Sequence, residues 1–528
     1  MYSGNRSGGS GNGLFAAASV ASVLLLMMPY IIMFSSGTSG LVGLPAEDPA
    51  VEGDGDPYEH AWHFWWVSRA LAGGQDPRFC PLIYAPDGAS LVYDHVGWFD
   101  TLVFGLTGLG REYPGLSHSL SLLMGTLLTG IFGWLLARSW GAERYAALFT
   151  ALALAWMPAR TAHLLQHYQV AGCWALPGAL WAAALYLRKG GGAALAAFAA
   201  FTLAGGLESP FISLFILACL PAACFLLGGS WKRTGILSLS WAVPTLALGI
   251  LAASSPGDSG SLEPEWREAV YWAAEPQSFL LPSPFGTAGS LARMPSRMSW
   301  MSNTFEGVVT PGLVLLLLFG LYSFRKKSMR MALVVGVFWL LALGPELRFL
   351  GRPLGIPLPF RIFQLLPVLG GIRAPSRFAI PGGLFVALAA GMAVSGLKGR
   401  WKYAAFALLL MELALPSLPT LRDRIPAECS EVPAGSTVLE LPVDRNIRMY
   451  SWFQTGGDYS RRYAFMARLP DFEDTGPVPE GAMEPVDVLM YHRWLYSPVQ
   501  RALHDAELAE FFPEGTGSDS VWVAEADE

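Results

Sequence analysis

Charge is scarce in this chain: Asp, Glu, Lys and Arg make up 14% of its 528 residues, and lysine occurs only at Lys189, Lys232, Lys326, Lys327, Lys398 and Lys402. Soluble domains carry roughly a quarter charged residues, so an ordinary set of water-soluble domains is disfavoured. Cysteine is scarce as well. Cys80, Cys173, Cys219, Cys224 and Cys429 are too few and too oddly numbered for a disulfide framework. One bond is conceivable, between Cys80 and Cys429, but two free thiols are the expected state. A P-loop, a GxGxxG after a strand, an HExxH and a CxxC pair are all missing. Their absence argues against soluble nucleotide-binding folds, and the net charge of −6 argues against a nucleic-acid partner. No internal repeat is evident.

Apolar residues take the place of the missing charge. They form 53% of the chain, and the run LFAAASVASVLLLMMPYIIMF from Leu14 is long enough to cross a bilayer at about 1.5 Å per residue. About eleven such segments are predicted, at roughly 14–35, 116–137, 142–158, 169–187, 192–208, 209–228, 234–252, 307–324, 330–344, 377–397 and 402–420. Residues 98–109 read as a short, partly inserted segment. The expected fold is mainly α: a polytopic membrane helix bundle of about eleven transmembrane helices over residues 14–420. The first segment is long for a cleavable signal and lacks a clear small-x-small site, so it reads as an uncleaved anchor. Residues 1–13, rich in Gly and Ser, are expected to be a disordered start. After Thr420 the hydropathy falls, and STVLELPVD and DSVWVAE read as strands, which marks residues 421–528 as a small α/β domain.

The basic residues set an orientation. All the lysines fall in alternate short loops beside Arg138, Arg144, Arg188, Arg233, Arg325, Arg330 and Arg400, with Glu143 as the only acid among them. By the positive-inside rule those loops and the N-terminus are cytoplasmic. Loops 36–97, 253–305 and 345–376 and the 421–528 domain are then exported, and they hold nearly all the carboxylates.

The exported stretch EGDGDPYEHAWHFWW, residues 52–66, concentrates acids, histidines and tryptophans. Asp56, Pro57 and Glu59 match a capping box with proline at the first helical position, which predicts a helix from Asp56 to about Ala72, stopped by Gly73 and Gly74. Trp62, Trp65 and Trp66 would then form an amphipathic face at the membrane interface. Capping accounts for Asp56 alone. Asp54, Glu52, Asp48 and Glu47 crowd the same segment, a pattern that suits a general base or a metal ligand. His60 and His63 follow Asp56 on one helical face, a spacing that either holds a divalent cation or directs hydrogen bonds to Asp56 and lipid headgroups. The stretch PLIYAPDGASL beyond them reads as an ordered loop.

Other candidates are scattered along the chain. MPARTAHLLQHYQV supplies Arg160, His163 and His167, cations suited to a phosphate leaving group or to interfacial anchoring. Glu208 in LAGGLESPF and Glu306 in SNTFEGVV sit at the outer boundary, where acids are functional candidates or helix caps. GGIRAPSRF places Arg373 and Arg377 at the mouth of the next helix, suited to a phosphate or pyrophosphate or to headgroups. The aromatic, Pro-rich loop 253–305 suits a re-entrant or lipid-gripping lid.

Together, GDPYEHAWHFWWVSRALAGGQDP and PLIYAPDGASL resemble the first exported loop of bacterial membrane proteins assigned to the GT-C superfamily of glycosyltransferases. AHLLQ, LESP, SFLLPSPFG, FEG, RAPSRF and STVLELPVD are similar to that family's elements, in the same order, so the resemblance covers most of the chain. It implies an integral glycosyltransferase of the bacterial inner membrane that moves a sugar from a polyprenyl-phosphate donor to a lipid, glycan or protein acceptor on the exported face. It implies a base or metal-holding carboxylate in the first exported loop, a role carried onto Asp56 first and Asp54 second. The implied reaction is a single inverting displacement in which His163, Arg373 or Arg377 steadies the departing phosphate. From the residues themselves, His60, His167, Glu208 and Glu306 are the further candidates for the substrate site. A divalent cation, Mg2+ or Mn2+, is left open as a cofactor. The helix-start motif departs from the family by lacking an adjacent acidic pair; Glu47-Asp48 is the only one nearby. Two rival readings remain, a lipid or glycan transporter or flippase, for which no inverted repeat is evident, and a catalytically silent envelope-assembly protein.

Overall fold

The structure is a computed structural model and describes residues 9–35, 41–42, 56–92, 94, 96–255, 266–284, 286, 306–326, 329–366, 369–415, 418, 420–421, 425–441, 448–461, 486–492, 516–517 and 521–525. Glu47, Asp48, Glu52 and Asp54 lie outside the described residues, as do residues 1–8 and most of the predicted lid.

Each of the apolar segments forms a helix: Gly9–Ser35, Pro114–Ser139, Arg144–Trp156, Ala175–Lys189, Gly192–Glu208, Pro210–Leu227, Trp231–Ala253, Leu313–Lys326, Met329–Ala342, Ala379–Ser395 and Arg400–Leu413. Among the described residues, Pro114–Ser139, Tyr168–Lys189, Pro210–Leu227, Trp231–Ala253 and Pro375–Ser395 are both long and apolar enough to cross a membrane, and four shorter apolar helices accompany them. The chain is a multi-pass membrane protein. Its outer helices show the bilayer as their solvent: Leu239, Val243, Leu246 and Ile250 form an exposed apolar ridge along Trp231–Ala253. The helix Ala379–Ser395, by contrast, is buried over almost its whole length. Small residues allow that burial. A Cβ at Gly391 would overlap Thr150 Oγ1, so glycine there lets this helix close on Arg144–Trp156.

Chain order separates the two ends of the bundle. Arg138, Arg188 and Lys189 lie in the last turns of their helices, and Arg144 and Arg400 begin theirs. The opposite ends carry the long loops and the C-terminal sheet. There, β1 (Phe79–Cys80) pairs antiparallel with β2 (Ala89–Ser90), so PLIYAPDGASL is the tip of a short hairpin. A second hairpin joins β3 (Glu346–Phe349) and β4 (Arg352–Pro357). The C-terminal sheet contains β5 (Thr437–Leu441), β6 (Ser460–Arg461), β7 (Val488–His492), β8 (Thr516–Gly517) and β9 (Val521–Glu525) in the order β6-β5-β7-β9-β8. Its β5 runs parallel to β6 and β7, and β9 runs antiparallel to β7 and β8. All five cysteines are buried free thiols.

The helix Asp56–Ala72 forms where the sequence places it, with Gly73 and Gly74 beyond its end. Its setting corrects the expected aromatic belt. Trp62, Trp65 and Trp66 are 2%, 4% and 0% exposed, packed with Cys80, Ile83, Leu91 and Val96. Trp66 Nε1 donates to Pro77 O at 3.1 Å, and Trp62 Nε1 donates to Gln454 Oε1 at 2.9 Å. The amphipathic face is filled by protein because the β1–β2 hairpin covers one side and the helix Met449–Gln454 packs on another. Backbone bonds secure this contact: Arg461 N–H donates to Leu82 O at 2.8 Å and Ala85 N–H to Arg461 O at 3.1 Å.

Trp66→Ala should therefore destabilise the protein by about 3–5 kcal/mol, the cost of emptying a buried aromatic site. Thermal unfolding in detergent tests this; an unchanged midpoint would restore the interfacial reading.

Candidate functional site

The start of the helix Asp56–Ala72 faces the loop that follows Arg144–Trp156. The backbone N–H of Asp56 donates to Gln166 Oε1 at 3.2 Å. One oxygen of its carboxylate lies 3.4 Å from His167 Nε2 and the other 3.2 Å from Arg448 Nε. The expected capping box is corrected here. Gln166 takes the N–H that Glu59 would have reached, and Glu59 instead places Oε2 3.5 Å from Arg448 Nε and Oε1 4.0 Å from His63 Nε2.

The loop itself is wound into short turns, Pro158–Thr161, Ala162–Leu165 and Tyr168–Ala171. Winding brings His163 and His167 together, Nδ1 to Nδ1 at 3.1 Å. Both approach Glu306, His163 Nε2 at 4.0 Å and His167 Nδ1 at 3.8 Å. Glu306 accepts from Arg377 Nε at 2.9 Å and Nη2 at 2.7 Å, and from Ser376 Oγ at 2.7 Å. Asp56, His167, His163, Glu306 and Arg377 thus form one continuous chain of polar contacts.

Burial and charge compete along it. Burial raises the Asp56 carboxyl above its ordinary value, against the lowering charges of Arg448, Arg373 and Arg377 and with a smaller push from Asp94. Burial also pushes Glu306 upward, but the Arg377 charge and the hydrogen bonds from Arg377 and Ser376 win, so it lies below its ordinary value. His163 is pushed down to about 4 by burial, with Glu306 opposing, and is neutral near pH 7. Arg373 pairs with Glu268 at 3.4 Å and stays part-exposed.

Other candidates stand apart. His60 is fully buried, its ring 4.5 Å from that of Tyr168 and 6.1 Å from that of His118, whereas His63 Nε2 lies 3.1 Å from Asp94 Oδ2. The shared face expected for Asp56, His60 and His63 is therefore divided between different neighbours. Glu208 belongs to a second buried acid pair, accepting from the Asp100 N–H at 3.4 Å, while Asp100 accepts from Ser121. Arg160 faces into the bundle, with Nη2 donating to Thr126 Oγ1 at 3.0 Å and Nη1 to Ala155 O at 2.5 Å. That corrects its expected role toward a phosphate, since a helix-end carbonyl and a hydroxyl already take its hydrogen bonds. Asp54 is outside the described residues.

Sequence reasoning missed Arg448, Glu59, Asp94, Gln166 and Ser376 as site residues. Gln166 and Ser376 lie inside the quoted AHLLQ and RAPSRF motifs, and Glu59 was read only as half of a capping box. Nothing around Arg448 in DRNIRMY distinguishes it from a surface arginine.

The multi-pass helix bundle, which gathers its first long loop, two arginines and a histidine loop at one end, shares its fold with a membrane glycosyltransferase of known structure. The arabinofuranosyltransferase AftD from Mycobacteria aligns with 97% of this chain and 40% of its own at 12% identity and a TM-score of 0.55. The chain thus spans about 40% of the length of AftD. ArnT from Cupriavidus metallidurans, bound to undecaprenyl phosphate, aligns with 97% of this chain and 100% of its own at 13% identity and a TM-score of 0.47. The Archaeoglobus fulgidus oligosaccharyltransferase, in complex with Zn and sulfate, aligns with 90% of this chain and 67% of its own at 13% identity and a TM-score of 0.45. The chain belongs to the family described as Domain of unknown function (DUF6311), whose profile matches residues 50–415. Comparison with curated protein sequences gives no match.

Arg377→Ala strips buried Glu306 of its charged partner and should destabilise the protein by about 3–5 kcal/mol. Thermal unfolding checks this, and adding Glu306→Gln to the same chain should restore most of the loss.

Proposed function

We propose that the protein is a GT-C-type glycosyltransferase of a bacterial inner membrane, moving a sugar from a polyprenyl-phosphate donor to an acceptor hydroxyl on the exported face. The observation that carries this reading is the setting of Asp56. Its carboxylate is 14% exposed, lies 3.4 Å from His167, and shares the loop end of a GT-C bundle with Arg373 and Arg377. The fold shared with AftD, an arabinofuranosyltransferase, supports glycosyl transfer as the reaction class. Sidedness is supported by the basic helix ends, which lie at the other end of the bundle from Asp56.

The reaction is a single inverting displacement. Asp56 takes the proton of the acceptor hydroxyl, the oxygen attacks the anomeric carbon, and the bond to the lipid phosphate breaks. The phosphate leaves with its electron pair toward Arg373, Arg377 and the histidine loop. A carboxyl raised by burial is the stronger base once deprotonated, and Arg448 keeps the deprotonated form accessible. Asp54, by the family resemblance, is the second candidate for the base.

His163, His167 and Glu306 lie close enough together to hold a divalent cation. The donor set is nevertheless a poor fit, because Glu306 already accepts from Arg377 and Ser376 and the guanidinium repels a second cation there. The displacement by Asp56 does not call on a cation at that set.

Purified protein supplied with polyprenyl-phosphate sugars should release the lipid phosphate. Movement of labelled substrate across vesicles without bond cleavage would sink this reading in favour of a carrier. Asp56→Asn should lower transfer by about 10²–10⁴-fold with the fold retained. Activity needs the carboxylate form, so transfer should fall as pH drops through the raised Asp56 pKa, an acid limb above the ordinary value of 3.8. Arg448→Ala removes a lowering charge and should move that limb to still higher pH, which rate profiles across acidic buffers would show.

A further inference from the structure

Behind Asp56 lies a cluster that the displacement does not use. Glu59 and His63 are one turn apart on the helix Asp56–Ala72 and so share a face. Asp94 meets them from the segment after β2. His63 Nε2 is 3.1 Å from Asp94 Oδ2 and 4.0 Å from Glu59 Oε1, and the three donor atoms lie within 4.8 Å of one another. A tetrahedral cation with bonds of about 2.0–2.2 Å holds its ligand atoms about 3.3–3.6 Å apart, so small side-chain shifts would seat one here.

Two further facts point to a cation. The Glu59, His63 and Asp94 side chains are at most 1% exposed, and the Glu59 carboxyl faces the Asp94 carboxyl, with Arg448 Nε 3.5 Å away as its one guanidinium neighbour among the described residues. Two carboxylates share this space with one guanidinium, Arg448, which Asp56 already engages at 3.2 Å. His63 adds an imidazole nitrogen donor to the two carboxyl groups. Two buried carboxyl groups and an imidazole whose donor atoms converge on one point form an arrangement that a dication satisfies.

We propose that Glu59, His63 and Asp94 bind one divalent transition-metal cation of the Zn2+ or Mn2+ kind, which locks the first turn of the helix Asp56–Ala72 against the segment carrying Asp94. The imidazole donor favours such ions over Mg2+ or Ca2+, which take oxygen ligands. The site would be structural, holding the turn from which Asp56 projects. The proposal goes beyond glycosyl transfer and does not require it.

Metal content decides the matter. The full chain, purified in detergent without chelator, is dialysed against Zn2+ or Mn2+, freed of loose metal and quantified by elemental mass spectrometry. About one equivalent is expected in the natural protein and in His167→Ala, and a loss of at least tenfold in Glu59→Gln and His63→Ala. Replacement by Co2+ should give a visible absorption band that is lost in Glu59→Gln; should that variant fold poorly, chelator titration of the band in the natural protein and in His63→Gln supplies the same comparison. Absence of stoichiometric metal in the natural protein overturns the proposal, as does undiminished metal in both Glu59→Gln and His63→Ala or loss in His167→Ala alone. Protein that binds metal but transfers no sugar would count against the function proposed above and leave this site standing.

Discussion

The ion pair between Glu306 and Arg377 is the contact around which the loop end of the bundle is arranged. Both side chains are removed from water, and neither can be left there alone. The pair reaches across 71 residues of sequence and joins the segment before Leu313–Lys326 to the start of Ala379–Ser395, helices that also pack on each other. Ser376 takes the second oxygen of Glu306, and the histidine loop closes on the remaining side. An apolar contact of the same area would tolerate sliding. A carboxylate that accepts three directed hydrogen bonds does not, and the register of Asp56 with His167 follows from it.

The C-terminal sheet is tied to the membrane bundle through the same logic of shared partners. Gln454 accepts from Trp62 and donates to Leu82 and Tyr459 carbonyls, so one buried amide joins three segments. Arg448 stands just before the same helix, Met449–Gln454, and its guanidinium reaches both Asp56 and Glu59. The helix that begins with Asp56 is thus held from the histidine loop on one side and from the C-terminal region on the other. A carboxylate raised by burial but faced by arginines from separate segments has its protonation set by the assembly as a whole.

How much of this was legible depended on the range of the signal. Every apolar stretch in the sequence became a helix, because a run such as that from Leu14 needs no distant partner to satisfy its backbone. The helix start at Asp56-Pro57 and the strands in STVLELPVD and DSVWVAE were equally local. The tryptophans of the helix Asp56–Ala72 were legible as an apolar face but not as a buried one, since amphipathicity says that a face is covered and not by what. Glu59 shows the same limit. Its position three after Asp56 suits a capping box, and only the arrival of Gln166 sends it elsewhere.

The sequence by itself determined a membrane-spanning helical chain, an acidic and aromatic first loop, basic helix ends opposite that loop and the candidacy of Asp56, His163, His167, Glu306, Arg373 and Arg377. These are properties of composition and short-range spacing. Tertiary structure alone decided that Arg448 would lie beside Asp56, that Arg160 and His60 would turn inward, and that Asp94 would join Glu59 and His63. Those outcomes depend on which buried charge finds which partner across hundreds of residues, and low dielectric makes that choice steep without leaving a pattern along the chain.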